Sequence, residues 1–184
     1  MRLYIMTDFK NRYRVESCRL KGWDYSAAGY YFVTICVQDR KCCLGEVVNG
    51  VMRLSPVGII ITEEWQNTAT LRENVTLDES IVMPNHIHGV VCINGPARRE
   101  QQTIPPLQYS NSFGPQKNNL SSMIRGFKGA STKRIHLDGH HFAWQSGFYE
   151  EVIRDERMLD NARQYIRNNP VKWDMDHDNP TNRR

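Results

Sequence analysis

The dipeptide Pro84-Asn85 separates two runs, Leu77 to Met83 and His86 to Ile93, and this constrains the fold more than any other stretch of the chain. The second run, His-Ile-His-Gly-Val-Val-Cys-Ile, is apolar and β-branched and reads as a strand. Turn-forming residues between two such runs predict an antiparallel hairpin, with His86 just past the turn. Side chains two apart on a strand share a face. His86 and His88 therefore point the same way, and Ile87 points into a core on the other side. Two imidazoles on one face can share a metal ion, and imidazole suits zinc, copper, iron or nickel. Two histidines do not complete a structural zinc site, which takes four ligands. Room remains for a third protein ligand and for substrate oxygens. Taken alone, a His-x-His pair is more often a hydrogen-bonded polar strand face.

A second motif, Gln164-Tyr165-Ile166-Arg167-Asn168-Asn169-Pro170, gives the pair more meaning. Residues 155–169 read as a helix with Asp155 as N-cap. Met158, Leu159, Ala162 and Ile166 form its buried stripe. Pro170 is expected to end the helix, because proline disfavours helical geometry in the residue before it. Tyr165 and Asn169 then lie one turn apart on one face. Asn169 sits at the end where the helix dipole favours a cation. Its amide oxygen suits a hard ion such as Mg2+ or Mn2+. Read separately, Tyr165 is an ordinary amphipathic-helix tyrosine and Asn169 a C-cap.

The rest of the chain predicts a mixed α+β order. Tyr30 to Val37 is aromatic and β-branched and reads as a first strand. Asn49-Gly50 within Val47 to Met52 marks a tight hairpin. Ser55-Pro56 starts a helix with serine as N-cap, and its stripe is Val57, Ile60, Ile61 and Trp65. Residues 94–118 carry Pro105, Pro106, Gly114 and Pro115 and little apolar periodicity, and are read as a mobile insertion. Residues 120–137 read as a helix, and 142–153 as an extended stretch. The domain reading is a polar, basic arm over 1–20, one domain over 21–173 containing the insertion, and a flexible tail over 174–184. The expected fold class is α+β: an antiparallel sheet with helices packed on it, in the ferredoxin-like or RRM-like manner.

Composition restricts the functional classes. A chain of 184 residues, 40% of them hydrophobic, can bury one core, which argues against general disorder. A net charge of +4 is compatible with a nucleic-acid partner but does not require one. Five cysteines make an odd number without C-x-x-C spacing, and read as reduced thiols rather than a disulfide or zinc framework. No signal-like or membrane-length apolar run occurs, so a cytoplasmic location and no membrane partner are expected.

In order along the chain come Arg19-Leu20-Lys21-Gly22-Trp23-Asp24-Tyr25-Ser26, Tyr31-Phe32-Val33-Thr34-Ile35-Cys36, Met83-Pro84-Asn85-His86-Ile87-His88, Trp144-Gln145-Ser146-Gly147-Phe148-Tyr149-Glu150, and Tyr165-Ile166-Arg167-Asn168-Asn169-Pro170-Val171-Lys172. As a set they resemble the REP-associated tyrosine transposases, within the HUH (His-hydrophobe-His) single-strand DNA transposases and nucleases. The resemblance implies a central antiparallel sheet carrying both histidines, with the tyrosine on a helix beside it. It implies Tyr165 as the nucleophile, and His86, His88 and Asn169 as ligands of a divalent metal. It also implies a 5′-phosphotyrosine intermediate on single-stranded DNA next to hairpins of palindromic repeats. Relatives work as a monomer or a homodimer.

The residues supply weaker support for the substrate. Arg163, Arg167 and Lys172 near the tyrosine helix, and Arg125, Lys128, Lys133 and Arg134 on the preceding one, are candidate phosphate contacts. Arg163 and Arg167 are also candidates for favouring the phenolate. Trp23, Tyr25, Phe148 and Tyr149 are candidate stacking groups. Tyr149 is the alternative nucleophile. Two rival readings stand beside the transposase: a non-catalytic nucleic-acid-binding protein on the same fold, and a metal nuclease that activates water.

Overall fold

The computed structural model describes residues 7–9, 12–14, 25, 27–94, 119–176 and 178–182. The expected insertion beyond Asn94, and the motif around Trp23, lie outside the described residues. Strands β1 (Thr7–Phe9) and β2 (Arg12–Arg14) pair as a short antiparallel ribbon within the expected arm.

The central sheet has four strands: β3 (Gly29–Cys36), β6 (Val75–Met83), β7 (His86–Ile93) and β8 (Tyr149–Ile153). Their order is β6-β7-β3-β8, and every pairing is antiparallel. Two helices, α1 (Pro56–Thr70) and α2 (Leu120–Leu137), complete a β3-α1-β6-β7-α2-β8 sequence. This is the ferredoxin-like split β-α-β arrangement. Strands β4 (Gly45–Val48) and β5 (Val51–Leu54) form the expected hairpin. Asn49 and Gly50 take φ of 53° and 73°, as a two-residue turn of the primed type requires.

Each face of the sheet has its own apolar cluster. On one, Tyr31, Val33, Ile35, Ile87, Val91 and Ile93 pack against α1 and α2. The expected α1 stripe is buried here, and the Ser55 hydroxyl caps the helix by accepting from the Gly58 amide. Gly89 belongs to this face. A Cβ on it would stand 2.5 Å from Trp65 Cζ2, so the strand needs glycine beside the second histidine. On the opposite face, Val90 and Ile153 pack against Leu159 and Ile166 of α3 (Glu156–Lys172). The alternation of β7 therefore sends His86 and His88 toward α3 and Ile87 into the larger core, as the sequence predicts.

Two local expectations are corrected. Helix α3 does not stop before Pro170 but runs through it to Lys172. The proline lacks one N–H, yet burial of Asn169, Pro170 and Trp173 holds the last turn in place. The extended stretch over 142–153 becomes a strand only from Tyr149. Before it, Gly147 takes φ of 71° and Trp144 makes an isolated bridge with Val37. The stretch expected as a flexible tail begins and ends in short helical elements among its described residues. These are 3-10 turns, Trp173–Met175 and Pro180–Asn182, and the Asp178 carbonyl between them accepts from the Asn85 amide. The stretch is polar because its partners are polar.

Candidate metal and nucleophile site

His86 and His88 are 0% and 3% exposed, and their Nε2 atoms face each other at 2.9 Å. A network fixes the rings. The Asn85 amide donates from Nδ2 to the carbonyls of Arg40 and Asp178, which leaves Oδ1 to accept. That oxygen lies 2.7 Å from His86 Nδ1, so His86 carries its proton on Nδ1 and turns a lone pair outward on Nε2. His88 Nδ1 lies 2.8 Å from the Thr34 hydroxyl, which can donate or accept. Burial lowers the His86 pKa to about 4 and pushes His88 well below the usual histidine range. Both rings are neutral at physiological pH. Two neutral imidazoles fixed through Nδ1 with converging Nε2 atoms are a ready donor pair for one metal ion.

Helix α3 brings Tyr165 to this pair. Its hydroxyl lies 3.5 Å from His88 Nε2, its ring meets the His88 ring edge-on at 5.1 Å, and Phe32 supports both rings. Tyr165 remains 46% exposed, so a substrate can reach it. One turn on, Asn169 is 2% exposed, and its Oδ1 is buried with no hydrogen-bond partner. An orphaned buried carbonyl oxygen is a polar group that lacks its ligand. Among the described residues no three His, Cys, Asp or Glu side chains converge as a metal cluster. The two imidazoles and this amide oxygen remain the candidate donors.

Sequence reasoning missed the groups around that set. Arg40, three residues past Val37, forms an ion pair with Asp178. Asp176 lies 3.5 Å from the Asn169 amide, and Trp173 packs beside His86. Burial, then the charges of Asp176 and Asp178, raise the Tyr165 pKa, while the Asn169 side chain lowers it. The phenol is therefore protonated at neutral pH. No local motif marks these partners, because Asn85 meets Asp178 across 93 positions.

The structure separates the expected basic residues into two groups. Arg163 pairs with Asp78 through two contacts of 2.7 and 2.9 Å, and Arg167 pairs with Glu79. Both arginines fasten α3 to β6 and do not aim at the phenol, which corrects the expectation that either favours the phenolate. Lys172 is exposed at the end of α3. Arg125 and Lys128 lie on α2, behind the sheet from Tyr165, together with Lys133. Arg134 pairs with Glu63 and Glu64. Of the expected stacking groups, Tyr25 and Phe148 pack against the larger core, and Trp23 lies outside the described residues. Tyr149 is half-exposed on β8, opposite Thr34 in register.

The fold and the site thus define an α+β domain of ferredoxin-like topology, with a strand-borne histidine pair facing a tyrosine helix. No family model matches the chain. An uncharacterized protein of Haemophilus influenzae is 34% identical over 165 residues, spanning 88% of this chain and 91% of that protein. A second protein of that organism, named "Putative REP-associated tyrosine transposase", is 27% identical over 150 residues, spanning 81% of this chain and 74% of its own length. The solved structure of a REP-associated tyrosine transposase bound to a REP hairpin superposes with a TM-score of 0.58 at 21% identity, covering 87% of this chain and 74% of that one, a likeness of fold. The chain belongs to one family with the first of these proteins, and it is similar in sequence to the second and in fold to the solved transposase. Among the described residues no helix is long and apolar enough to cross a membrane.

Proposed function

We propose that this chain is a single-strand DNA transposase and endonuclease that cuts and rejoins a strand beside a palindromic hairpin, with Tyr165 as nucleophile. The observation that carries the reading is the 3.5 Å approach of the accessible Tyr165 hydroxyl to a buried, neutral histidine pair. The Tyr165 oxygen forms a bond to phosphorus as the bond from phosphorus to the 3′-oxygen breaks. The phenol loses its proton and the departing 3′-oxygen takes one up. A 5′-phosphotyrosine and a free 3′-hydroxyl result, and attack by another 3′-hydroxyl reverses the step without an external energy source.

His86, His88 and Asn169 would hold a divalent ion, magnesium or manganese. When bound, the ion supplies charge neutralisation at the phosphate and stabilises the leaving oxygen. Asn85 and Thr34 fix the two rings, and the sheet beneath them excludes water from one side. The hairpin named for the similar solved structure supports the substrate class.

The test is incubation of labelled single-stranded hairpin DNA with the protein and Mn2+. A covalent band is expected from the native chain and from Tyr149→Phe, and none from Tyr165→Phe, which keeps DNA binding. The fully paired form of the same sequence should resist cutting, since a stiff duplex cannot bend its phosphate to the phenol. Adduct formation by Tyr165→Phe would reverse the assignment. The raised Tyr165 pKa favours one other reading, a nuclease that activates water. Cleavage without any adduct would establish that reading instead.

A further inference from the structure

On the far side of the sheet from Tyr165, the exposed face of α2 and the segment before β8 enclose an open cleft of about 790 Å³. Its walls carry Arg125, Lys128, Lys133 and His136, and none of its described lining residues is acidic. All four lie along α2 on the side that lines the cleft, so the cations follow the helix rather than cluster at one point. Gly129 lies among them, and a Cβ there would meet nothing within 4 Å, so no packing explains the glycine. Trp144 and Ala143 form the apolar wall.

The charges differ in how they are committed. Lys128 donates to the carbonyls of Gln145 and Gly147, and its partial burial lowers its pKa. His136 lies 2.8 Å from the Phe142 carbonyl. Among the described residues Arg125 and Lys133 are exposed and have no ionic or hydrogen-bonding partner. Four other arginines are engaged in ion pairs: Arg40 with Asp178, Arg134 with Glu63 and Glu64, Arg163 with Asp78, Arg167 with Glu79. The cleft thus presents two uncommitted cations, Arg125 and Lys133, on one helix.

The cleft is also connected to the histidines by a short path. Lys128 meets the Gln145 carbonyl, the Gln145 amide donates to the Cys36 carbonyl, and Cys36 is the cross-strand partner of His86. The end of β3 thus lies between the histidine pair and the cleft. We infer that this cleft is a second nucleic-acid subsite, which grips the phosphodiester backbone of the substrate strand beyond the cleaved phosphate. Arg125 and Lys133 take phosphate oxygens, and Lys128 holds the Gln145 to Gly147 wall. This subsite rests on the reading of the chain as a DNA-cleaving protein.

The test uses the full chain with Tyr165→Phe to prevent cutting. Fluorescence anisotropy follows binding of a labelled hairpin with a long single-stranded flank, and of the same hairpin with the flank trimmed to the cleavage point. The Arg125→Gln/Lys133→Gln double variant should bind the long probe about tenfold more weakly, with a salt slope reduced by roughly 1.4–1.8, the loss of two phosphate contacts. The trimmed probe should be bound as before. Arg53→Gln/Arg157→Gln removes the same charge elsewhere and should leave the slope unchanged. Equal weakening by the two double variants, or an unchanged slope for the long probe, would overturn the subsite. Adduct formation by the native chain is scored separately, so loss of cleavage chemistry and loss of this subsite are read apart.

Discussion

At the residue scale, the neutral histidines set the pH behaviour. Burial lowers the folded pKa of His86 from 6.5 to about 4. Below pH 6.5 the unfolded chain takes up a proton that the folded chain refuses, so stability is full above that pH and falls as the pH drops toward 4. His86 alone accounts for a loss of about 2 kcal/mol between pH 7.5 and 5, and His88 acts in the same direction. Urea unfolding in EDTA at the two pH values measures it, and equal midpoints would show that the rings are not held neutral. The orphaned Asn169 oxygen gives a second prediction. Asn169→Leu replaces the amide with an apolar group of similar size, so stability in EDTA should change little. The rise in melting temperature that Mn2+ gives the native chain should shrink or vanish. A full Mn2+ shift in the variant would remove Asn169 from the ligand set.

At the scale of elements, β7 carries a constraint on each face. Its histidines need polar partners on the α3 side, Asn85 and Thr34, and Gly89 requires the α1 side to admit the Trp65 ring. Gly89→Ala should cost about 1–3 kcal/mol by overpacking and reduce cleavage through displacement of the adjacent His88. Denaturant melts and nicking rates would register both effects, and a stable, fully active variant would refute the close approach. This strand also shows what a sequence discloses. The period of two in His86-Ile87-His88 and the one-turn spacing of Tyr165 and Asn169 are local, and both were legible. So were the caps Ser55 and Asp155, whose hydroxyl or carboxylate binds an amide three residues on. Thr34, Arg40, Asp176 and Asp178 were not, because their roles exist only after distant strands pair. Arg163 and Arg167 were legible as charges but not as ion pairs. A periodic pattern marks a face, and it does not name the acid on the neighbouring element.

On the scale of the whole molecule, the sheet divides the protein into a larger core behind α1 and α2 and a smaller one under α3. The last residues close the smaller side. Trp173 packs beside His86, the Asp178 carbonyl accepts from Asn85, and its carboxylate pairs with Arg40. Truncation after Met175 should leave the larger core intact but unsatisfy the Asn85 amide, at a cost of about 1–3 kcal/mol. The melting temperature should fall and cleavage should weaken. An unchanged melt would show that this segment does not brace the site.

The bulge in β6 adds a consequence of another kind. Asp78 and Glu79 both stand opposite Val90, where the register shifts, and each holds one arginine of α3. Tyr165 is thus indexed to β6, while the histidines are indexed to β7. The hairpin at Pro84-Asn85 is the gauge between them. Deleting one residue of the bulge would preserve every side chain of the site and still throw the phenol out of line, an error of calibration rather than of chemistry.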